Sequence, residues 1–278
     1  MGEQKNRKGK RKMQITFIGG GTMGTAMIKS LLTKKVVAPQ DIVVSDVSSL
    51  RRELLSKEYG VSTLADNRKA MKGADMTILA IKPQDLAQAM EEMLKADSLQ
   101  PTALVLSIVA GISLSTLQHG LKHPCIIRAM PNMPAQIGEG MTVWTATAEV
   151  SQEQKEMAKA ILGALGQELY VADEKYIDMA TAVSGSGPAY VFLFIEALID
   201  GGVHIGLPRD VVQKLVMQTI LGSTHTVQKT GKHPAELRDT VTSPGGTTTE
   251  ALLRLEKGGF RSLLLEAVAA AYDKAKHL

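Results

Sequence analysis

The chain has 278 residues, of which 44% are hydrophobic and 22% charged, with a mean hydropathy of +0.02. These values fit one large or two smaller globular domains and exclude a disordered or fibrous chain. The net charge of +4 arises in residues 1–12, where Lys5, Arg7, Lys8, Lys10, Arg11 and Lys12 stand against Glu3; the remaining 26 basic and 27 acidic residues leave the body near neutral, with no basic face for nucleic acid.

The basic tail lacks the apolar core of a secretory signal and reads as a disordered, solvated extension. No apolar run approaches the roughly 20 residues that span a bilayer; residues 103–112 and 189–199 are the richest, and Glu196 interrupts the second. The single cysteine, Cys125, excludes an internal disulfide framework and fits a reducing compartment. The expectation is a cytoplasmic protein without a membrane or nucleic-acid partner.

Residues 13–18 form a β-prone run that ends in Gly19-Gly20-Gly21-Thr22-Met23-Gly24, after which a helical pattern begins. A G-x-G-x-x-G between strand and helix is the context of a dinucleotide fingerprint. Gly19 allows the turn, Gly21 admits a pyrophosphate to the backbone, and Gly24 lets helix and strand pack closely. The second strand, 41–46, ends in Asp46, 22 residues beyond Gly24, near the spacing of an acid that accepts from a ribose 2′-hydroxyl. That favours NAD(H), whereas Ser45, Ser48, Arg51 and Arg52 suit a 2′-phosphate, so the cofactor stands as NADP(H) or NAD(H). The plainer reading is a helix start capped by Ser48 or Asp46.

Strands at 61–63, 76–81, 103–108, 125–129, 141–145 and 168–171 follow, with helices at 67–71, 85–93 and 151–163 among them. Continuously apolar strands separated by helices imply a parallel sheet covered on both faces, with ligands beyond the strands' C-terminal ends. Gly21, Ser45, Lys82, Ala110 and Asn132 fall at such ends. From Asp173 onward the pattern is helical, with segments at 176–183, 189–199, 210–228 and 250–272. The fold class is therefore α/β: a Rossmann-like doubly wound sheet over 13–172, then an all-α domain over 173–278 that supplies substrate contacts and an oligomer interface. The helix after Ser184-Gly185-Ser186-Gly187-Pro188 is apolar nearly all round, so it must be buried in this chain or against another.

The turn Ser243-Pro244-Gly245-Gly246-Thr247-Thr248 opens the last helical stretch. Unpaired N–H groups and the helix dipole make such a turn a receiver for a carboxylate, although Ser, Thr and Pro there also serve as an ordinary cap. The six histidines lack zinc-like spacing, and no nucleophile elbow is present. A nucleotide site, an anion-receiving turn and hydroxyls suit hydride transfer, in which a cofactor carries the chemistry.

Five motifs, in this order, resemble the pyrroline-5-carboxylate reductases: Phe17-Ile18-Gly19-x-Gly21-x-Met23-Gly24, Ala80-Ile81-Lys82-Pro83-Gln84, Arg128-x-Met130-Pro131-Asn132-x-Pro134, Ser184 to Tyr190, and Asp239-x-Val241 to Thr248. The likeness covers about residues 13–275, and the last two motifs are the specific ones. It implies NAD(P)H-dependent reduction of Δ1-pyrroline-5-carboxylate to L-proline, the last step of proline biosynthesis. By resemblance the cofactor meets Gly19, Gly21, Thr22, Met23, Gly24, Ser45, Asp46, Asn67, Ala80, Lys82, Pro83, Ala110 and Asn132. The substrate meets Ser186, Ser243, Pro244, Gly245, Gly246, Thr247 and Thr248, with Thr248 nearest the ring nitrogen as the catalytic residue. No metal is implied. Dimers through interleaved C-terminal helices, often assembled into decamers, are expected. Relatives often carry Ser-Asn-Arg where this chain has Ser45-Asp46-Val47, a departure that bears on NADPH.

Two other readings compete. A β-hydroxyacid dehydrogenase needs a base, usually a lysine on the long helix after the linker, and residues 184–199 contain none. A non-catalytic nucleotide-sensing regulator would use the basic tail to reach a partner.

Overall fold

The computed structural model describes residues 13–95 and 99–277, so the basic stretch 1–12 lies outside the described residues. Within them one sheet is built from β1 (Ile15–Ile18), β2 (Ile42–Ser45), β3 (Ser62–Leu64), β4 (Met76–Leu79), β5 (Leu104–Ser107), β6 (Ile126–Met130), β7 (Gly140–Ala146) and β8 (Gly166–Tyr170). The first-half helices are α1 (Thr22–Thr33), α2 (Ser49–Tyr59), α3 (Asn67–Met71), α4 (Pro83–Lys95), α5 (Leu114–Leu121) and α6 (Gln152–Gly163). The strands run in the order β3-β2-β1-β4-β5-β6-β7-β8. The order reverses between β1 and β4, which places the crevice of a doubly wound sheet directly beyond the glycine loop.

Every residue of β1, β4 and β5 is buried, as expected for strands covered on both faces. Ile15, Phe17, Ile42, Val44, Met76, Ile78, Leu104 and Leu106 form one core with Met27, Ile28 and Leu31 of α1. A second core, beneath α4 and α5, joins Ile18, Leu79, Val105 and Ile126 to Leu86, Met93, Leu117 and Leu121.

The sheet is not wholly parallel. β7 runs antiparallel to β6, and β8 pairs parallel with β7. The reason is chain length: only the short 3₁₀ turn Met133–Ile137 lies between β6 and β7, whereas a parallel return needs a crossover of a dozen or more residues. α6 supplies such a crossover between β7 and β8. Its start at Ser151 carries a reciprocal capping box with Gln154. Sequence periodicity does not reveal α5, an eight-residue helix, although Ser113 caps it by accepting from the Thr116 N–H.

The helical half comprises α7 (Lys175–Ala180), a π turn (Thr181–Gly185), α8 (Gly187–His204), α9 (Arg209–Thr230), α10 (Pro234–Thr240), α11 (Thr247–Lys257) and α12 (Phe260–Ala275). The single helix expected over 250–272 is two, because Gly258 ends α11 and Gly259 adopts φ +73°. α10 also escapes the periodicity reading and is opened by His233 and Pro234.

Contacts divide the chain into two compact units, one reaching Gly185 and taking in the residues from Lys274, the other spanning Ser186–Asp273. The composition change at Asp173 and the change of contacts at Ser186 are separated by α7 and the π turn, which Arg128 holds to the sheet. Its buried guanidinium donates to Glu174 at 2.8 Å and to Asp178 at 2.6 Å, and Glu174 also accepts from the Leu114 N–H at 2.7 Å. Arg128→Met conserves volume but leaves two carboxylates facing apolar surface. We expect it to lower stability by about 3 kcal/mol, the lower end for removing one partner of a buried ion pair, since both acids keep some solvent. The urea midpoint at constant m-value measures this.

The second unit has almost no core of its own. Val212 is its only buried hydrophobic residue among those described, and no residue of α8 is buried. The stretch Lys175–His204 contains an 18-residue window of mean hydropathy 1.5, only 6% of it buried. This corrects the sequence reading that no run approaches membrane-spanning character. The π turn joins two helices that the Ser-Gly-Ser-Gly-Pro sequence separates, and the joined stretch is long and apolar enough to cross a membrane by length and composition alone.

Candidate functional site

A cavity of about 810 Å³ in the first unit opens at the switch point between β1 and β4. Its floor is the glycine loop. Gly19 adopts φ +98°, and a Cβ there would lie 2.6 Å from the Ala80 carbonyl oxygen. A Cβ on Gly24 would lie 2.6 Å from the Gly19 carbonyl oxygen, so Gly24 closes α1 onto β1. Gly21 differs: its φ of −64° is open to any residue, yet a Cβ there would meet nothing within 4 Å. It is also the N-cap of α1, with no side chain capping it and no acid in the first turn. The free N–H groups and positive dipole end of α1 thus face open space, as an anionic pyrophosphate requires.

β2 delivers the next wall. Asp46 is fixed by two backbone donors: the Gly20 N–H reaches Oδ2 at 2.8 Å and the Ser48 N–H reaches Oδ1 at 2.9 Å. Ser48 caps α2 by accepting from the Arg51 N–H. Ser45 Oγ is buried in the same wall without a hydrogen-bond partner. Opposite them, Asn67 donates to Glu92 at 2.8 Å, and Gln88 donates to the other oxygen of Glu92 at 2.9 Å. Next to Asn67, side-chain hydrogen bonds from Arg68 hold the pKa of the half-buried Asp66 carboxyl down to about 2.

Of the residues expected to meet a cofactor, Gly19, Gly21, Thr22, Met23, Ser45, Asp46, Asn67, Ala80 and Lys82 line this cavity together. Gly24 lies buried beneath it, and Pro83, which opens α4, and Ala110, in the turn after β5, are not among its walls. Asn132 acts as a strut. Its Oδ1 accepts from the Met141 N–H and its Nδ2 donates to the Ser184 carbonyl, both at 2.9 Å, tying β6 to β7 and the π turn. Sequence reasoning missed the wall contributed by α4: Gln84, Asp85, Gln88 and Glu92. The signal was present, because polar residues at these spacings share one helix face while Leu86 and Met93 are buried on another.

In the second unit, the turn before α11 is held by its own backbone and by Thr249. The Gly246 N–H donates to the Ser243 carbonyl at 3.0 Å, and Thr249 Oγ1 donates to the same oxygen at 2.7 Å. Gly245 adopts φ +67°, and a Cβ on Gly246 would lie 2.5 Å from Ser243 Oγ. Gly246 is the N-cap, and no side chain caps α11. The hydroxyls of Ser243, Thr247 and Thr248 are thus not spent on capping, and the first N–H groups of α11 point outward from a turn with no bulky side chain. At the other motif, Ser186 is the N-cap of α8, with no side-chain cap bond. Among the described residues no group of His, Cys, Asp and Glu is placed to hold a metal.

Comparison with known proteins supplies the family. A model described as pyrroline-5-carboxylate reductase dimerisation matches residues 174–278, and one described as NADP oxidoreductase coenzyme F420-dependent matches residues 14–111. The pyrroline-5-carboxylate reductase of Synechocystis sp. is 46% identical over 96% of this chain and 98% of its own. The structure of a pyrroline-5-carboxylate reductase from Coxiella burnetii superposes with a TM-score of 0.87 at 35% identity, covering 96% of this chain and 98% of that one. The Plasmodium falciparum pyrroline carboxylate reductase, crystallised with NADP bound, gives 0.86 at 31% identity, covering 95% and 97%.

Proposed function

Because this chain belongs to the pyrroline-5-carboxylate reductase family, we infer that its two units divide the work of one reduction. The activity is NAD(P)H-dependent reduction of Δ1-pyrroline-5-carboxylate to L-proline in proline biosynthesis. The observation that carries the division of labour is that one unit holds an open glycine cradle and the other, described by itself, an uncapped, hydroxyl-rich helix start.

The residues present fit a nicotinamide dinucleotide: Gly21 leaves the approach clear, and Ser45 Oγ waits buried without a partner. The cofactor supplies a hydride to the imine carbon. In our reading, the N–H groups of Gly21, Thr22 and Met23 hold its pyrophosphate, Asp46 and Asn67 face its adenosine ribose, and Lys82 provides a cation on the cleft wall. Ser243, Gly245, Gly246 and Thr247 orient the substrate carboxylate at the start of α11. Thr248 Oγ1 accepts from the N–H of the protonated imine and keeps that contact as the nitrogen loses its charge. The nitrogen retains its proton through the hydride step, so the chain needs no strong base there.

The test of the activity is oxidation of NADH and NADPH with pyrroline-5-carboxylate as acceptor; no oxidation of either overturns it. Thr248→Ala is expected to lower kcat about 10²-fold, the scale of losing one positioned hydrogen bond at a reacting centre, with dinucleotide affinity retained. Full turnover by that variant ends the role assigned to Thr248.

The family's dimerisation region spans the coreless helices, and a second copy is the occupant we propose for their apolar faces. On this reading the apolarity of Lys175–His204 serves a subunit interface rather than a membrane, and the enzyme works in the cytoplasm. Sedimentation distinguishes a dimer from a larger assembly such as a decamer.

A further inference from the structure

The cleft wall beyond β2 presents a carboxylate, Asp46, held in place from both sides. The Asp46 carboxylate cannot swing aside, because each of its oxygens accepts from a backbone N–H, one from the glycine loop and one from the start of α2. The next residue, Val47, is 93% exposed and offers no charge. Arg52 spends one guanidinium nitrogen on the carbonyls of Asp46 and Val47, at 2.6 and 3.1 Å, bracing that turn. Arg68 is paired with Asp66 through two hydrogen bonds of 3.0 and 2.9 Å. Glu92 and Asp85 stand on the same cavity, where Lys82 is the only cationic wall residue among the described residues.

A 2′-hydroxyl can donate to a carboxylate held in this way, whereas a 2′-phosphate carries nearly two negative charges toward it. From this geometry we propose that the enzyme is selective for NADH over NADPH, with Asp46 the specificity-determining residue. The inference rests on the assignment of this cavity to the dinucleotide, and it sets the chain apart from the Plasmodium falciparum relative with NADP bound. Selectivity arises on the enzyme's own side: a fixed carboxylate rewards a hydroxyl and repels a phosphate, while Arg51, beside Gly20, and Arg52, behind the turn, are not among the lining residues of the cavity.

Titration of the full-length enzyme with NADH and with NADPH in the absence of substrate, followed by calorimetry, reads this directly. The expected result is an NADH Kd at least about tenfold below that of NADPH, the effect of one repulsion of roughly 1.4 kcal/mol at the ribose. Two variants locate the cause. Asp46→Asn is expected to bring the NADPH/NADH ratio of Kd values down severalfold, but it also gives up one backbone acceptor. Val47→Arg adds a cation at an exposed position without touching that acceptor, and is expected to lower the same ratio about tenfold. Equal affinities, or tighter binding of NADPH by the unaltered enzyme, overturn the selectivity and leave the reductase assignment standing. So does a Val47→Arg variant whose ratio does not move. Failure of both dinucleotides to bind overturns the cavity assignment itself.

Discussion

Gly21→Val is expected to abolish dinucleotide binding while leaving the protein folded. The backbone there has φ −64° and ψ −169°, which valine adopts without strain, and an added Cβ meets no protein atom within 4 Å. The new methyl groups instead occupy the space in front of the uncapped N-terminus of α1. Two charge-assisted hydrogen bonds from N–H groups to the pyrophosphate, at about 1.5–3 kcal/mol each, are then out of reach, which corresponds to at least about 10²-fold in Kd. The informative control is Gly19→Val, where φ is +98° and a Cβ would stand 2.6 Å from the Ala80 carbonyl oxygen. That variant is expected to lose stability as well as binding, because backbone of the sheet must move. Calorimetric titration and thermal unfolding together separate the two glycines. A Gly21→Val protein that binds NADH normally sinks the assignment of the cavity.

That contrast shows what could and could not be read in the sequence. The fingerprint spacing identifies the loop, but the distinct duties of Gly19, Gly21 and Gly24 depend on what opposes each one: Ala80 and Ile81, far along the chain, for Gly19, the Gly19 carbonyl for Gly24, and open space for Gly21. β1, β2, β4 and β5 are legible because continuous apolar runs leave no alternative to burial on both faces. The direction of β7 is not signalled by its own residues; it follows from the length of the connection after β6. The role of Arg128 was invisible for a similar reason, since its partners Glu174 and Asp178 sit on a helix that composition assigns to the other half. Asp46 was legible by spacing, and the structure sharpened it by showing both carboxylate oxygens fixed. The α4 wall is marked only by the polar face of that helix, which apolar periodicity does not single out.

The second unit makes the strongest case that one chain is only part of the functional assembly. Val191, Phe192, Leu193, Phe194 and Leu198 on α8 are each at least 39% exposed, and Leu263, Leu264 and Leu265 on α12 each at least 42%. An apolar helix with no buried residue gains little from folding alone, so α8 draws its stability from another surface. Leu193, 67% exposed, is a direct probe. In Leu193→Asp each copy forfeits about 2 kcal/mol of apolar burial, and a twofold interface counts the change twice. With the cost of a desolvated carboxylate added, the dimer is expected to weaken by roughly 10³-fold or more in Kd. Sedimentation at micromolar concentration then shows monomers, and reductase activity falls with the dimer. Ile137→Asp, an equivalent change at a residue 78% exposed on the turn before β7 and outside the matched dimerisation region, is expected to leave assembly intact. An intact dimer in Leu193→Asp would show that α8 turns its apolar face elsewhere, whereas monomers there and dimers in Ile137→Asp place the interface on the helices that the single chain cannot bury.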